Sequence, residues 1–160
     1  MTKYESSVKH IACPIESVYA KLSDMTSLEA LRERLGDPLL RERIMAQAGD
    51  KISPEQYEQM AAQLEAMQFT RDTITAEMPM VGSVTLRVVE REELRLVKCE
   101  TEGSPIYGNL WIQLLPEGEG CCAMKVTLGA ELNFMLKQML GGKLEKGVEK
   151  LADLLAMMTY

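Results

Sequence analysis

The sequence predicts an α+β protein: a curved antiparallel sheet of about six strands, with one long helix at the C-terminal end to cover its apolar face. Three observations lead there. Between Phe69 and Ala130 apolar residues recur at every second position, in runs broken by short turns rich in glycine, proline and glutamate. That is the pattern of an antiparallel meander. Residues 14–67 instead carry apolar residues at helical spacing behind recognisable helix starts. From about residue 131 to the end the period returns to that of a helix. Strands grouped together, with helices before and after them, describe an α+β architecture.

The elements follow in order. Residues 2–12 alternate weakly and read as a strand, with Tyr4, Ser6, Val8, His10 and Ala12 on one side. Pro14 opens a helix at its first turn, where a missing N–H costs nothing, and Ile15, Val18 and Leu22 form its buried side. Thr26-Ser27-Leu28-Glu29 has the spacing of a capping box, so a second helix follows with Leu28, Leu31 and Leu35 buried, and Gly36 ends it. Asp37-Pro38 starts another that runs to about Ala48. Ser53-Pro54-Glu55-Gln56 is a strong start for an amphipathic helix carrying Tyr57, Met60, Ala61, Leu64 and Met67. Strands are then expected at 69–77, 83–90, 94–101, 106–114 and 122–130. Pro79 and Gly82, Glu92-Glu93, Gly103-Ser104-Pro105 and the 116–120 loop PEGEG separate them.

Length and composition bound the function. A chain of 160 residues suits one domain, expected over 1–160 with residues 36–67 as a helical insertion. Its net charge of −6, without a local cluster of lysine or arginine, argues against nucleic acid and anionic membranes as partners. The N-terminus is charged from Lys3 and resembles no secretory signal. No apolar run approaches the ~20 residues that span a bilayer, so no integral membrane association is expected. Cys13, Cys99, Cys121 and Cys122 form no CxxC pair, and with His10 as the single histidine a structural zinc site is not expected. Reduced cysteines and a cytoplasmic location follow. No cofactor is expected either, because nucleophile elbow, phosphate loop, HExxH and dinucleotide fingerprint are all absent.

Three stretches carry a family resemblance: HIACPIESVYAKLSD (10–24), VGSVTLRVVEREELRLV (81–97) and LGAELNFMLKQMLGGKLEKGVEKLADLL (128–155). They resemble the opening strand and helix, the central glycine-led hairpin, and the last strand running into a long helix of the START/birch-pollen-allergen superfamily, the helix-grip fold. That superfamily includes polyketide cyclase/dehydratase-like and lipid-transport-like proteins. The resemblance covers the chain except about residues 36–67, and its motifs specify architecture rather than an active site. It implies a sheet wrapped around the C-terminal helix, with an apolar cavity between them.

On that basis the chain is expected to bind a small apolar or amphipathic molecule, lipid- or polyketide-like, in the cavity. The expected lining is Val84, Leu86, Val88, Leu110, Ile112, Met124, Val126, Leu144, Gly147, Val148 and Leu151. On the final helix Leu132, Leu136, Leu140, Leu144, Val148, Leu151, Leu155 and Met158 make the buried stripe, which Gly141 and Gly147 border. A glycine inside a helix costs about 0.5–1 kcal/mol relative to alanine, so these two imply close packing, a bend, or room for a ligand. Twelve methionines, among them Met78, Met80, Met124, Met135, Met139, Met157 and Met158, suit either an adaptable pocket or plain core filling.

Two other functions stay open. A cyclase- or dehydratase-like enzyme needs a polar group in the cavity, for which His10, Tyr4 or an inward acid are candidates; Arg71, Asp72, Glu77, Arg87 and Glu90 are the charged strand residues. A protein-interaction module of the co-chaperone type needs an exposed apolar patch, around Trp111 or the 54–67 helix. That helix has three candidate partners: the cavity mouth, the sheet edge, or a second subunit in a homodimer.

Overall fold

The structure, a computed structural model, describes residues 2–48, 53–78, 82–103 and 106–156. The side chains of Leu31, Leu35, Met60 and Met78, together with Pro79, Met80, Ser104, Pro105, Met157 and Met158, lie outside the described residues.

Among the described residues eight strands form one antiparallel sheet: β1 (Thr2–Glu5), β2 (Lys9–Ile11), β3 (Gln68–Phe69), β4 (Thr73–Met78), β5 (Gly82–Glu92), β6 (Leu96–Glu102), β7 (Gly108–Pro116) and β8 (Cys122–Ala130). Their order is β1-β8-β7-β6-β5-β4-β3, with β2 also paired to β8. The helices are α1 (Ile15–Leu22), α2 (Glu29–Leu35), α3 (Pro38–Ala48), α4 (Pro54–Ala66) and α5 (Phe134–Ala156), and a 3-10 turn, Met25–Leu28, leads into α2. The expected α+β order is present, with a long C-terminal helix against a curved sheet.

Eight strands replace the expected six because two of the expected strands are broken. The first breaks at a bulge. Glu5 faces Thr127 and Lys9 faces Met124, so four steps along one strand oppose three along the other. Ser6 holds the irregularity: its N–H donates to the Val126 carbonyl (2.8 Å), and its hydroxyl accepts from the Val126 N–H (3.0 Å). One inserted residue sends the following side chains to the opposite face. Hence Tyr4 and Ser6 point inward, whereas Val8 and His10 point out and Ile11 is buried. The second break is the turn at 70–72, where the Thr70 N–H donates to the Thr73 carbonyl (2.9 Å) and the Thr70 hydroxyl accepts from the Thr73 N–H (3.1 Å).

The second helix also starts differently from its sequence pattern. Asp24, not Thr26, is the cap: its carboxylate accepts from the Thr26 N–H (3.0 Å), and the 3-10 turn follows. The shift buries Met25 along with Leu28. By contrast α4 begins as the sequence indicates. Ser53 and Gln56 cap one another reciprocally at 3.1 and 3.0 Å.

The helical block is pinned to the sheet by the 70–72 turn. Its Arg71 carbonyl accepts from the Met25 N–H (3.1 Å) and its Asp72 carbonyl from the Val88 N–H (2.7 Å), next to a bulge between Val88 and Glu90. Arg91 reaches both the Ser23 carbonyl (3.0 Å) and the Asp72 carboxylate (2.6 Å). At the sheet end α4 packs on α2 and β4. Arg32 of α2 donates to the Leu64 carbonyl (3.1 Å) and the Met67 carbonyl, and stacks on the Phe69 ring.

Helix α5 packs on β8, β1 and β2. Leu140, Val148, Ala152, Leu154 and Leu155 are its buried residues, Leu136, Leu144 and Leu151 are half-buried, and Leu132 precedes the helix. Along the β1–β2 flank, Lys9 Nζ lies 2.6 Å from both Glu149 and Asp153, and Ser7 donates to Glu149 through its N–H (2.8 Å) and its hydroxyl (2.6 Å). Hydrogen bonds from Lys9 and then Ser7 hold the Glu149 carboxyl well down, at about 2. Burial alone would lower the Lys9 pKa, but its bonds to Asp153 and Glu149 outweigh that and raise it.

The folded Glu149 pKa lies below its ordinary 4.5, so its contribution to stability is complete above about pH 4.5 and is lost as pH falls toward about 2. Glu149→Gln is expected to lower the urea midpoint near neutral pH and to flatten the acid loss across that window. Identical slopes for both proteins would show that the pair contributes nothing.

Candidate functional site

Between the concave face of the sheet and α5 lie two cavities. The first, about 140 Å³, is walled on the sheet side by Ile74 and Ala76 of β4, Val84 and Leu86 of β5, and Leu110 and Ile112 of β7. Helix α5 contributes Leu151, Leu154 and Leu155, while Leu22, Met25 and Leu28 close the helical end. Leu64, Met67 and Phe69 complete the wall, so the end of α4 that Arg32 holds in place borders this cavity. Every wall residue is apolar. The second cavity, about 100 Å³, shares Val84 and Leu86 with the first. It runs toward the start of α5, between Ile106, Gly108, Leu128 and Ala130 on the sheet side and Leu132, Leu140 and Leu144. Its one hydroxyl, Thr101, is engaged: it donates to the Ile106 carbonyl (3.2 Å) and accepts from the Gly108 N–H (3.0 Å).

The residues singled out in the sequence distribute as follows. Val84, Leu86, Leu110, Ile112 and Leu151 border the first cavity, and Val84, Leu86 and Leu144 the second. Val88, Met124, Val126 and Val148 are buried in the core beside them. Gly147 is exposed, and a β-carbon built on it would meet nothing within 4 Å. Gly141 does the opposite: a β-carbon there would lie 3.1 Å from the Tyr4 hydroxyl. Gly142 faces open space.

The wall from Leu22, Met25, Leu28, Leu64, Met67 and Phe69 was not among the expected lining. Each is apolar, and Leu22, Leu28, Leu64 and Met67 fall at helix positions the sequence marks as buried, whereas Met25 and Phe69 are brought in by the cap at Asp24 and the 70–72 turn. What the sequence lacked was the fact that the 36–67 segment returns to the sheet edge.

The polar candidates lie elsewhere. His10 sits outside, 2.6 Å from Glu117, because the bulge at Ser6 reversed its face. Arg87 pairs with Glu102 (2.9 Å) and Asp72 with Arg91 (2.6 Å), while Arg71, Glu77 and Glu90 are exposed. Trp111 is half-buried on the outer face, with Lys3 at 5.1 Å and Lys98 at 5.7 Å from its ring. Tyr4 alone points inward, and its hydroxyl is buried without a hydrogen-bond partner. Burial pushes the Cys99 thiol up to about 11, which disfavours its thiolate, and all four cysteines are free. Among the described residues no group of histidine, cysteine and carboxylate side chains is arranged to hold a metal, and no helix is long and apolar enough to cross a membrane.

No family model matches the chain, and no curated protein does. Solved structures do. Norcoclaurine synthase from Thalictrum flavum superimposes with a TM-score of 0.60 at 10% identity, over 97% of this chain and 84% of that one. A conserved protein from Geobacillus kaustophilus gives 0.58 at 14% identity, over 97% and 93%. TTHA0849 from Thermus thermophilus gives 0.58 at 17%, over 97% and 94%. The chain shares the fold of these structures, a curved antiparallel sheet gripping a long C-terminal helix. At these identities the likeness is one of fold alone, and this chain's own walls must carry any statement about its site.

A buried hydroxyl without a partner costs on the order of 1–3 kcal/mol. Tyr4→Phe is therefore expected to raise stability by about 1 kcal/mol in urea unfolding. Gly141→Ala is expected to be more favourable in the Y4F background than in the wild type, since the contact it crowds is then gone. Strict additivity of the two changes would contradict the close approach.

Proposed function

We propose that this protein binds a small hydrophobic or amphipathic molecule, lipid- or polyketide-like, in the space between the sheet and α5. The observation that carries the reading is a pair of adjoining cavities whose walls are apolar apart from the one hydroxyl already satisfied within the protein. Burying apolar ligand surface there is worth roughly 25 cal/mol per Å². Val84, Leu86, Leu110, Ile112, Leu144 and Leu151 are the proposed contacts, with Gly147 beside them.

The arrangement supports binding over chemistry. A cyclase- or dehydratase-like enzyme needs an acid or base against its substrate, and the charged candidates and His10 lie outside the cavities. One solved structure of norcoclaurine synthase is a complex with dopamine and hydroxybenzaldehyde; at 9% identity it lends this chain a fold and no residue roles. The interaction-module reading is less well supported, because Trp111 is flanked by two lysines rather than set in an apolar patch. Four free cysteines fit a reducing, cytoplasmic setting, which we propose as its location.

Native mass spectrometry of protein purified from its own host, followed by denaturing extraction, is expected to release a defined apolar molecule. A clean apo mass, together with no stabilisation by fatty acids, sterols or aromatics, would overturn the proposal. Leu86 borders both cavities. Leu86→Trp should therefore abolish binding of an apolar fluorophore at less than the roughly 1–3 kcal/mol that overpacking a filled core costs. Unaltered binding in this variant would place the ligand elsewhere.

A further inference from the structure

We infer that the outer face of α5 seats this protein on an anionic lipid bilayer, with the first turn of the helix entering the membrane and a row of lysines meeting its headgroups. The inference is independent of the binding role proposed above, because it concerns the face of α5 turned away from both cavities.

The apolar part comes first. Helix α5 opens on Phe134 and Met135, which are 77% and 69% exposed, and Met139, one turn on, is 44% exposed. The turn that carries them is capped: the Asn133 side chain accepts from the Leu136 N–H (2.8 Å) and the Asn133 carbonyl from the Lys137 N–H (2.9 Å). Tyr107 stands beside this turn, its carbonyl accepting from the Glu131 N–H (2.9 Å), and it too is exposed. Tyrosine is a side chain enriched where membrane meets water. Consecutive helix residues point about 100° apart. Phe134 and Met135 therefore cannot both lie on one flat protein surface, whereas a fluid medium that closes around the helix end covers both.

The charge follows along the same face. Met135, Met139, Lys143, Lys146 and Lys150 succeed one another at intervals of four, four, three and four, so they form one stripe. All five are exposed, on the side opposite the buried Leu140, Val148 and Leu155. The stripe is about 22 Å long at ~1.5 Å per residue, so a planar surface meets its whole length. Among the described residues no ion pair engages Lys137, Lys143, Lys146 or Lys150. Of the acids in this stretch, Glu149 is taken by Lys9 and Ser7, which leaves Glu145. The net charge of −6 speaks against an anionic partner for the chain as a whole, but folding sorts that charge and leaves this face positive. An exposed apolar turn continued by lysines is how a helix lies on an anionic membrane.

The test is co-sedimentation of the full chain with vesicles of phosphatidylcholine alone and of an equal mixture of phosphatidylcholine and phosphatidylglycerol. Binding is expected to the mixed vesicles, and to weaken as salt is added. A lysine held at an anionic surface contributes roughly fivefold, so K143Q/K146Q/K150Q should weaken binding by about a hundredfold. F134S/M135S should weaken it by at least about tenfold through lost insertion. Both sets of positions are exposed, so folding is expected to be kept. K3Q/K98Q/K125Q removes as many lysines from the outer face of the sheet, two of them beside Trp111 and one paired with Glu5. It should leave binding within about twofold.

A wild type that stays in solution with both vesicles, or binds both equally, overturns the inference. Equal weakening by the two triple variants also overturns it, since diffuse attraction is then enough, and so does unchanged binding of F134S/M135S. A wild type that ignores vesicles but self-associates in analytical ultracentrifugation, with F134S/M135S monomeric, would make this face a contact between copies of the chain and the bilayer assignment wrong.

Discussion

The asymmetric seating of α5 is the constraint on which the rest of this structure depends. One flank of the helix lies close on β8, β1 and β2. There Gly141 admits the Tyr4 hydroxyl, and Lys9 and Ser7 engage Glu149. The other flank faces β4–β7 across open volume. Were both flanks equally close, the interior would be a filled core at the usual density. The ion pairs need not be strong for this. Exposed pairs are worth little individually, and their role here is to choose which flank is anchored.

The sheet is shaped to the same end. A bulge in the N-terminal strand and another in β5 bend it, and bulges add local twist. The helical block then closes the end that the sheet leaves open, with Met25 hydrogen-bonded to the 70–72 turn and the end of α4 held by Arg32. The cavities therefore have walls from the sheet, from α5 and from the early helices. Positions far apart in the chain, from Leu22 to Leu155, meet around one space.

Much of this was legible in the sequence because periodicity reports burial directly. Alternation gave the five-strand meander, and the Ser53–Gln56 box gave the start of α4. The apolar stripe of the last helix gave its inner face. What was not legible was register. A single extra residue at Ser6 leaves the composition of the N-terminal strand unchanged yet reverses the face of His10, and with it the candidate for a catalytic group. The cap shift from Thr26 to Asp24 is similar, since both residues suit a cap and only the tertiary contact of Met25 with Arg71 decides. For the site, strand parity marked inward residues but did not separate those that touch a cavity, such as Leu110, from those packed beside it, such as Val126. That distinction depends on how far α5 stands from each strand.

A binding role follows from space and apolarity together, and the space is the more direct of the two to test. Diffraction from crystals pressurised with xenon reads it without presuming a ligand, since dry apolar cavities take up that gas. The account predicts xenon density in both cavities, one site among Ile74, Leu110 and Leu154 and the other among Leu128, Leu140 and Leu144. An interior free of xenon, with those side chains in mutual contact, would contradict it.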